Sequence, residues 1–197
     1  MEYFVPAVLV IAVMLGRIDL CLVQTEADAR RFSDLGARSV ETTGNLKFDI
    51  ELPGGLQADG AAIRASWGDT RPVLVAGSTH EREEAVVLEA FRQLLDGFPD
   101  ALLVLVPRHP ERFETVAELC RQRGLKIVLR SERRPCAADT QVFVGDSMGE
   151  LSLFFAAADV AFVGGSLVPH GGHNLLEPAA LGLPVASGPH VFNFTEI

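Results

Sequence analysis

The sequence has few cysteines, fewer basic than acidic residues, and no apolar run long enough to span a membrane. Its three cysteines, Cys21, Cys120 and Cys136, lie far apart and lack metal-site spacing, which favours reduced structural thiols in a cytosolic setting. The 17 lysines and arginines face 26 aspartates and glutamates, giving a net charge of -9. Because nonspecific nucleic-acid binding needs a basic face, this charge argues against nucleic acid as a partner.

The longest apolar run extends from Phe4 to Leu15 and contains a proline. It is shorter than the roughly 20 residues that a membrane-spanning helix needs. It is also not a signal peptide, because Glu2 stands where a basic segment is required and no cleavage site follows. Two interpretations remain: a buried strand or helix, which we expect, or a peripheral contact with a membrane surface.

Hydrophobic residues make up 48% of the chain, enough to build a core, and from Arg71 onward apolar strands alternate with helices. This alternation predicts an α/β fold with a parallel sheet covered on both faces. The predicted strands are 73–77, 102–106, 126–129, 142–144, 160–163 and 184–186, and the predicted helices are 81–97, 111–123, 148–157 and 175–181.

The residues before this region predict a smaller strand–helix–strand segment. Strands are expected at 18–23 and 40–43, around a helix at 26–35 that has Thr25 as its N-cap and Gly36 at its end. Turn residues at 44–45 and 53–55 then place a domain boundary between residues 44 and 55.

Polar or glycine-rich turns follow four of the predicted strands. In an open parallel sheet, ligands bind outside the carboxyl ends of the strands, so we expect these turns to form one site. The turns are Gly77–His80, Pro107–His109, Gly145–Glu150 and Gly164–Glu177.

The last of these turns is the most informative. A strand, a glycine-rich turn and a helix start together predict an anion site, because free backbone N–H groups point at the ligand. Asn174 and Glu177 have the spacing of a capping box, and Gly172 and His173 could contact a phosphate or a sugar acid. Glu177 could also accept hydrogen bonds from ribose hydroxyls, and the two roles are compatible.

Other candidates have competing interpretations. Arg108 could pair with a phosphate or carboxylate, or could form an ordinary ion pair at the rim. Ser147 and Glu150 could cap a helix or contact a ligand. His170, His173 and Glu177 could suggest a metal, but a glycine-rich loop does not place histidines on one helix face, so no metal is predicted. The Ser78–Glu81 loop lacks a G-x-S-x-G elbow, so it is interpreted as a loop leading into a helix rather than as a nucleophile with its base.

The segment Phe162–Ile197 closely resembles the nucleotide-binding end of the Kdo transferases. These bacterial glycosyltransferases attach 3-deoxy-D-manno-octulosonic acid (Kdo) to the lipid A precursor. Three further stretches resemble the same family in the same order, whereas residues 1–16 show no resemblance to it. The three stretches are Gln24–Asp49, Ala76–Glu84 with Leu103–Phe113, and Gln141–Leu151.

The resemblance implies the carboxyl-terminal half of a GT-B glycosyltransferase. Residues 1–50 would be a remnant of the amino-terminal acceptor domain with its linker. Residues 51–197 would be a Rossmann-like CMP-Kdo-binding domain, truncated at its carboxyl-terminal edge. The implied reaction is transfer of Kdo from CMP-Kdo to a lipid A precursor in lipopolysaccharide biosynthesis, with inversion and with no metal or cofactor. It would take place at the cytoplasmic face of the bacterial inner membrane, with the enzyme bound peripherally.

The family motif also implies which residues contact CMP. No catalytic base can be assigned, because the family's base lies in an amino-terminal region that is not matched here, so the chain alone is expected to be inactive. The alternatives are an inactive CMP-binding module, or another GT-B sugar-nucleotide enzyme such as a 2-epimerase, which would prefer UDP. The implied contacts are Pro107, Arg108, Met148, Gly149, Glu150, Asn174, Leu175, Leu176 and Glu177.

Overall fold

The structure is a computed structural model that describes residues 4–45 and 52–194. It divides into two compact units, residues 1–49 and 50–197. Part of the segment in which the sequence predicts a domain boundary, residues 46–51, lies outside the described residues, as do residues 195–197 at the end of the informative motif.

The first unit contains two helices and two short strands. They are α1 (Phe4–Leu15), β1 (Cys21–Val23), α2 (Glu26–Asp34) and β2 (Val40–Thr42), and the two strands pair in parallel. The hydroxyl oxygen of Thr25 accepts a hydrogen bond from the backbone N–H of Asp28 at 3.1 Å. Gly36 follows the helix with φ +93°, a conformation that glycine adopts readily. Both predicted ends of α2 are therefore confirmed.

The apolar run at the start of the chain forms a helix, but the expectation that it is buried is wrong. Leu9 and Met14 are 67% and 62% exposed within the described chain, and of its described side chains only Leu15 is buried. In the ranges 4–45 and 52–194, no helix combines the length and apolar character needed to cross a bilayer.

The second unit is a six-stranded, fully parallel sheet in the order β5-β6-β4-β3-β7-β8. The predicted parallel α/β sheet is thus confirmed. Its strands are β3 (Val73–Thr79), β4 (Leu102–Pro107), β5 (Ile127–Leu129), β6 (Val142–Val144), β7 (Val160–Val163) and β8 (Val185–Ser187). Its helices are α3 (Leu56–Trp67), α4 (Glu83–Leu94), α5 (Phe113–Gln122), α6 (Leu151–Ala156) and α7 (Leu176–Ala180), with short 3₁₀ turns at Pro110–Arg112 and Arg130–Glu132.

Side chains on each strand alternate between two cores, one on each face of the sheet. Along β4, Leu102 and Val104 pack with Trp67 of α3, whereas Leu103 and Leu105 pack in the cluster on the opposite face. That second cluster includes residues from α4 and α5, such as Phe91 and Val116. Every residue of β4 is buried, which explains why the strand is an unbroken apolar run in the sequence.

Helix α3 was not predicted from the sequence, because the residues just before it have the composition of a linker. Its buried residues are Leu56, Gly60 and Trp67, a helical spacing that could have revealed it. Gly60 obscures this pattern, but it has a packing role. A Cβ atom at this position would lie 2.7 Å from the Cβ of Ala156, so glycine allows α3 to approach α6 closely.

Arg71 is a buried cation that holds several chain segments together. Its residue exposure is 6%, and its guanidinium donates hydrogen bonds to backbone carbonyl oxygens rather than to a carboxylate. Burial lowers its pKa from the ordinary arginine value. The acceptors are the carbonyls of Asp100 (2.8 Å), Trp67 (3.3 Å), Ala101 (3.2 Å) and Thr140 (2.5 Å).

We predict that Arg71→Met lowers the free energy of unfolding by about 2–4 kcal/mol, because it leaves buried carbonyl oxygens without donors. Urea denaturation followed by circular dichroism measures this loss. Arg92→Met is the matched control, since Arg92 is exposed on α4 and, among the described residues, forms an ion pair only with Glu89 of the same helix. Equal effects of the two substitutions would contradict the structural role of Arg71.

Candidate functional site

Four adjacent strands, β6, β4, β3 and β7, direct their carboxyl ends to one edge of the sheet. A cavity of about 430 Å³ opens there. It brings together seven of the residues proposed from sequence: Pro107, Arg108, Met148, Gly149, His173, Asn174 and Glu177. Glu150, Gly172, Leu175 and Leu176 do not line this cavity. Ser78, Ser152 and Phe155 line it and were not among the predicted contacts.

Arg108 is exposed at the end of β4, where its backbone N–H donates to the carbonyl of Thr79 at 2.9 Å. Within the described part of the chain, its guanidinium forms no hydrogen bond or ion pair. The alternative of a local rim ion pair is therefore wrong. Among the described residues that line the cavity, Arg108 is therefore the arginine whose donors have no protein partner.

The turn after β6 is fixed by Glu150 in a way that the sequence analysis did not predict. Arg130 donates two hydrogen bonds to the Glu150 carboxylate, at 3.0 and 2.7 Å, and the Ser147 hydroxyl donates a third at 2.5 Å. The Arg130 hydrogen bond is the main cause of the lowered Glu150 pKa. Helix α6 begins only at Leu151, so the predicted N-cap role of Ser147 is wrong. Glu150 holds the turn that places Met148 at the cavity.

Asn174 and Glu177 interact, but they do not form the predicted capping box. The Asn174 side-chain oxygen accepts from the backbone N–H of Leu176 at 3.0 Å, and its amide donates to Glu177 at 3.2 Å. The hydroxyl of Ser152 donates to the second Glu177 oxygen, also at 3.2 Å. Glu177 is therefore held by one side chain from α6 and one from the turn before α7, and it lines the cavity. Because α7 has only five residues, its N-terminus provides little of the expected anion site.

The amides of the turn after β7 do bind an anion, but the anion is the protein's own Glu83 carboxylate. Glu83 is fully buried and accepts from the backbone N–H groups of Gly165 (2.7 Å), Ser166 (3.0 Å) and Leu167 (2.8 Å). It accepts a further hydrogen bond from the N–H of His80 at 2.8 Å. These three amides lie before the glycine pair and the helix start at which the sequence predicts an anion site, so they do not test that prediction.

Next to Glu83, the backbone of the turn after β7 lies directly against the backbone of the turn after β3. A Cβ atom at Gly164 would lie 2.5 Å from the carbonyl oxygen of Ser78, so only glycine allows the end of β7 to meet the end of β3. Nothing in the sequence pattern pointed to this role of Glu83, because two acidic residues in the first turn of a helix usually face solvent.

Four of the five histidines gather beside the cavity. The Nε2 atoms of His80 and His173 are 2.7 Å apart, and their rings stack with an interplanar angle of 7°. Burial, with the neighbouring His170 and His173, lowers the pKa of His80 to about 4. Burial, with the nearby Arg108, also lowers the pKa of His173. Both rings are thus neutral at pH 7, and one donates to the other. In the described ranges, no group of three or more His, Cys, Asp or Glu side chains is arranged to hold a metal ion.

Comparison with protein families agrees with the resemblance noted in the sequence. Residues 4–50 match the model for "3-Deoxy-D-manno-octulosonic-acid transferase (kdotransferase)". This match corrects the expectation that residues 1–16 are unrelated to the family, since it begins at residue 4. The divergent composition of the apolar run had concealed the relationship.

Two curated relatives named 3-deoxy-D-manno-octulosonic acid transferase cover most of the chain. The protein from Haemophilus influenzae is 44% identical over 186 residues, which are 93% of this chain and 44% of the relative. The protein from Bordetella pertussis is 41% identical over 189 residues, 92% of this chain and 43% of the relative. The chain therefore spans less than half the length of these relatives.

A solved structure matches the fold as well as the sequence. It is the carboxyl-terminal CMP-Kdo binding domain of WaaA from Acinetobacter baumannii, with a TM-score of 0.68 and 42% identity over 72% of this chain and 75% of that one. Its agreement with the parallel sheet confirms the predicted GT-B type of Rossmann-like domain. The chain belongs to the 3-deoxy-D-manno-octulosonic acid (Kdo) transferase family.

Proposed function

We propose that residues 51–197 bind CMP-Kdo and form the donor-binding part of a glycosyltransferase that adds Kdo to a lipid A precursor. The main support for this proposal is the cavity at the carboxyl ends of β6, β4, β3 and β7. It presents the free cation Arg108 and the carboxylate Glu177 to the same space, in a domain 42% identical to a CMP-Kdo binding domain.

The cavity offers a group for each part of CMP. Glu177 accepts hydrogen bonds from the ribose hydroxyls, since its oxygens face the cavity and Ser152 and Asn174 fix their position. Arg108 and His173 contact the phosphate. Met148, which is 57% exposed, and Gly149 lie against the base. The other proposed contacts are Pro107, which also lines the cavity, Glu150, and Leu175 and Leu176 through their backbone N–H groups and packing, with Gly172 as a possible phosphate or sugar contact.

The proposed reaction is transfer of Kdo with inversion and without a metal. Negative charge gathers on CMP as it departs, and Arg108 lies where it can stabilise this charge. The base that removes the proton from the acceptor hydroxyl is not assigned to any residue of this chain. We place it in the kind of amino-terminal acceptor domain to which residues 4–50 belong.

The proposed location is the cytoplasmic face of the bacterial inner membrane, where the lipid A precursor is the acceptor. The exposed apolar side chains of α1, such as Leu9 and Met14, support a peripheral contact with that surface. The same helix falls within the match to the amino-terminal domain of the family.

The first prediction from this proposal concerns nucleotide selectivity. Isothermal titration calorimetry in EDTA should give tighter binding of CMP than of UMP or AMP, because a site shaped for cytosine discriminates between bases. Arg108→Ala should weaken CMP binding by about 1.5–3 kcal/mol, the range for losing a hydrogen bond to a charged group. Equal affinity for the three nucleotides, or binding only with a divalent metal, would refute the proposal.

A second prediction concerns Glu177. Glu177→Gln should weaken CMP binding by about 1–3 kcal/mol, because an amide presents one acceptor oxygen where the carboxylate presents two. The affinity for 2′,3′-dideoxy-CMP should not change, since that analogue lacks the ribose hydroxyls. Glu118→Gln, on the outer face of α5, is the matched control. If the dideoxy analogue loses affinity equally, Glu177 does not hold the ribose.

A further inference from the structure

Two turns that leave the same edge of the sheet are tied together beside the nucleotide cavity. Strands β5 and β6 pair in parallel, with Leu129 opposite Val144 at their carboxyl ends. Because the two strands end together, the 3₁₀ turn Arg130–Glu132 starts next to the turn that follows β6. Residues 147–149 of that second turn line the cavity, whereas the 3₁₀ turn does not. We call residues 147–149 the lining segment.

The backbone of the lining segment is not held by hydrogen bonds of its own. In the described part of the chain, its backbone N–H and carbonyl groups form no hydrogen bond within the protein. Gly149 has φ +79°, a left-handed conformation that glycine adopts readily, and helix α6 begins only at Leu151. A short segment of this kind can take several conformations, so another part of the protein must fix the one that forms the cavity wall.

Two carboxylates, one at each end of the lining segment, supply this restraint. Before the segment, Asp146 accepts a hydrogen bond from the backbone N–H of Ser131 at 2.8 Å and one from the Ser131 hydroxyl at 2.5 Å. After the segment, Glu150 accepts two hydrogen bonds from the Arg130 guanidinium, at 3.0 and 2.7 Å. Each contact consists of two hydrogen bonds, so it fixes direction as well as distance. Two consecutive residues of one turn thus anchor both ends of the other.

We propose that Arg130 and Ser131 are positioning residues that determine the preference of the site for cytosine. This inference rests on the proposed function, in which Met148 and Gly149 lie against the base. Cytosine presents an amino group where uracil presents a carbonyl oxygen, and the two bases therefore need opposite hydrogen-bonding partners at that edge. The unpaired backbone groups of the lining segment distinguish the two edges only when their positions are fixed, because a mobile segment could turn a donor or an acceptor toward the base.

The two positioning residues are separate from the groups that hold the rest of the nucleotide. Arg108 follows β4 and Glu177 lies on α7, and among the described residues neither is hydrogen-bonded to Arg130 or Ser131. Loss of the contacts from the 3₁₀ turn should therefore weaken recognition of the base while leaving recognition of the ribose and the phosphate intact.

The test compares three ligands on the 197-residue chain by calorimetry. They are CMP, UMP and ribose 5-phosphate, which keeps the sugar and the phosphate but lacks the base. Arg130→Met should weaken CMP binding about tenfold, the equivalent of one lost hydrogen bond, and should reduce the preference for CMP over UMP at least severalfold. The affinity for ribose 5-phosphate should stay within about twofold of that of the unsubstituted chain.

Two further measurements distinguish positioning from a general effect on stability. Arg130→Lys should restore part of the preference, because an ammonium group still donates to Glu150, although without the fork geometry of a guanidinium. In a double-mutant cycle, Arg130→Met should have a smaller effect in the Glu150→Gln background than alone, since Arg130 acts through that carboxylate.

Ser131→Ala provides an independent variant at the other end of the lining segment. It removes one of the two donors to Asp146 and should lower the preference for CMP over UMP by about two- to threefold. Because Ser131 is exposed, this variant tests the proposal even if Arg130→Met does not fold. Arg134→Met is the matched control, since Arg134 lies just beyond the same turn and, among the described residues, forms its ion pair with Glu132.

The outcomes separate this inference from the proposed function. Equal losses of affinity for CMP and ribose 5-phosphate, or a preference over UMP that neither Arg130→Met nor Ser131→Ala changes, would overturn this inference alone and leave Arg130 as a structural residue. Failure of the unsubstituted chain to bind CMP, or to prefer it over UMP, would overturn the proposed function as well.

Discussion

The arrangement of the site depends on one buried carboxylate. Glu83 accepts hydrogen bonds from four backbone N–H groups, one after β3 and three after β7. Without it, several amides in a buried turn would lose their partners, at a cost of about 1–3 kcal/mol for each unsatisfied group. It also fixes His80 and the turn after Gly164, so the contact between His80 and His173 is a consequence of its position.

Because Glu83 occupies the amides of the turn after β7, those amides are not available to a negatively charged ligand. The backbone amides of Gly165, Ser166 and Leu167 are already occupied by Glu83, and α7 has only five residues. Among the described residues that line the cavity, Arg108 is the arginine whose guanidinium forms no hydrogen bond or ion pair, and it is the side chain that we propose meets the ligand's charge. Glu177 has the opposite task. Ser152 and Asn174 hold it in place, which suits the proposed role of accepting hydrogen bonds from the ribose hydroxyls.

The parts of this structure that could be predicted are those set by local patterns. The strands of the parallel sheet are continuous apolar runs, and the rim of the site follows because parallel strands end together. Helix α3 escaped prediction because Gly60 interrupts an otherwise recognisable stripe. Glu83 and the bond between His80 and His173 could not be found in this way, because each joins segments more than 80 residues apart. Only the order of the strands brings those segments together.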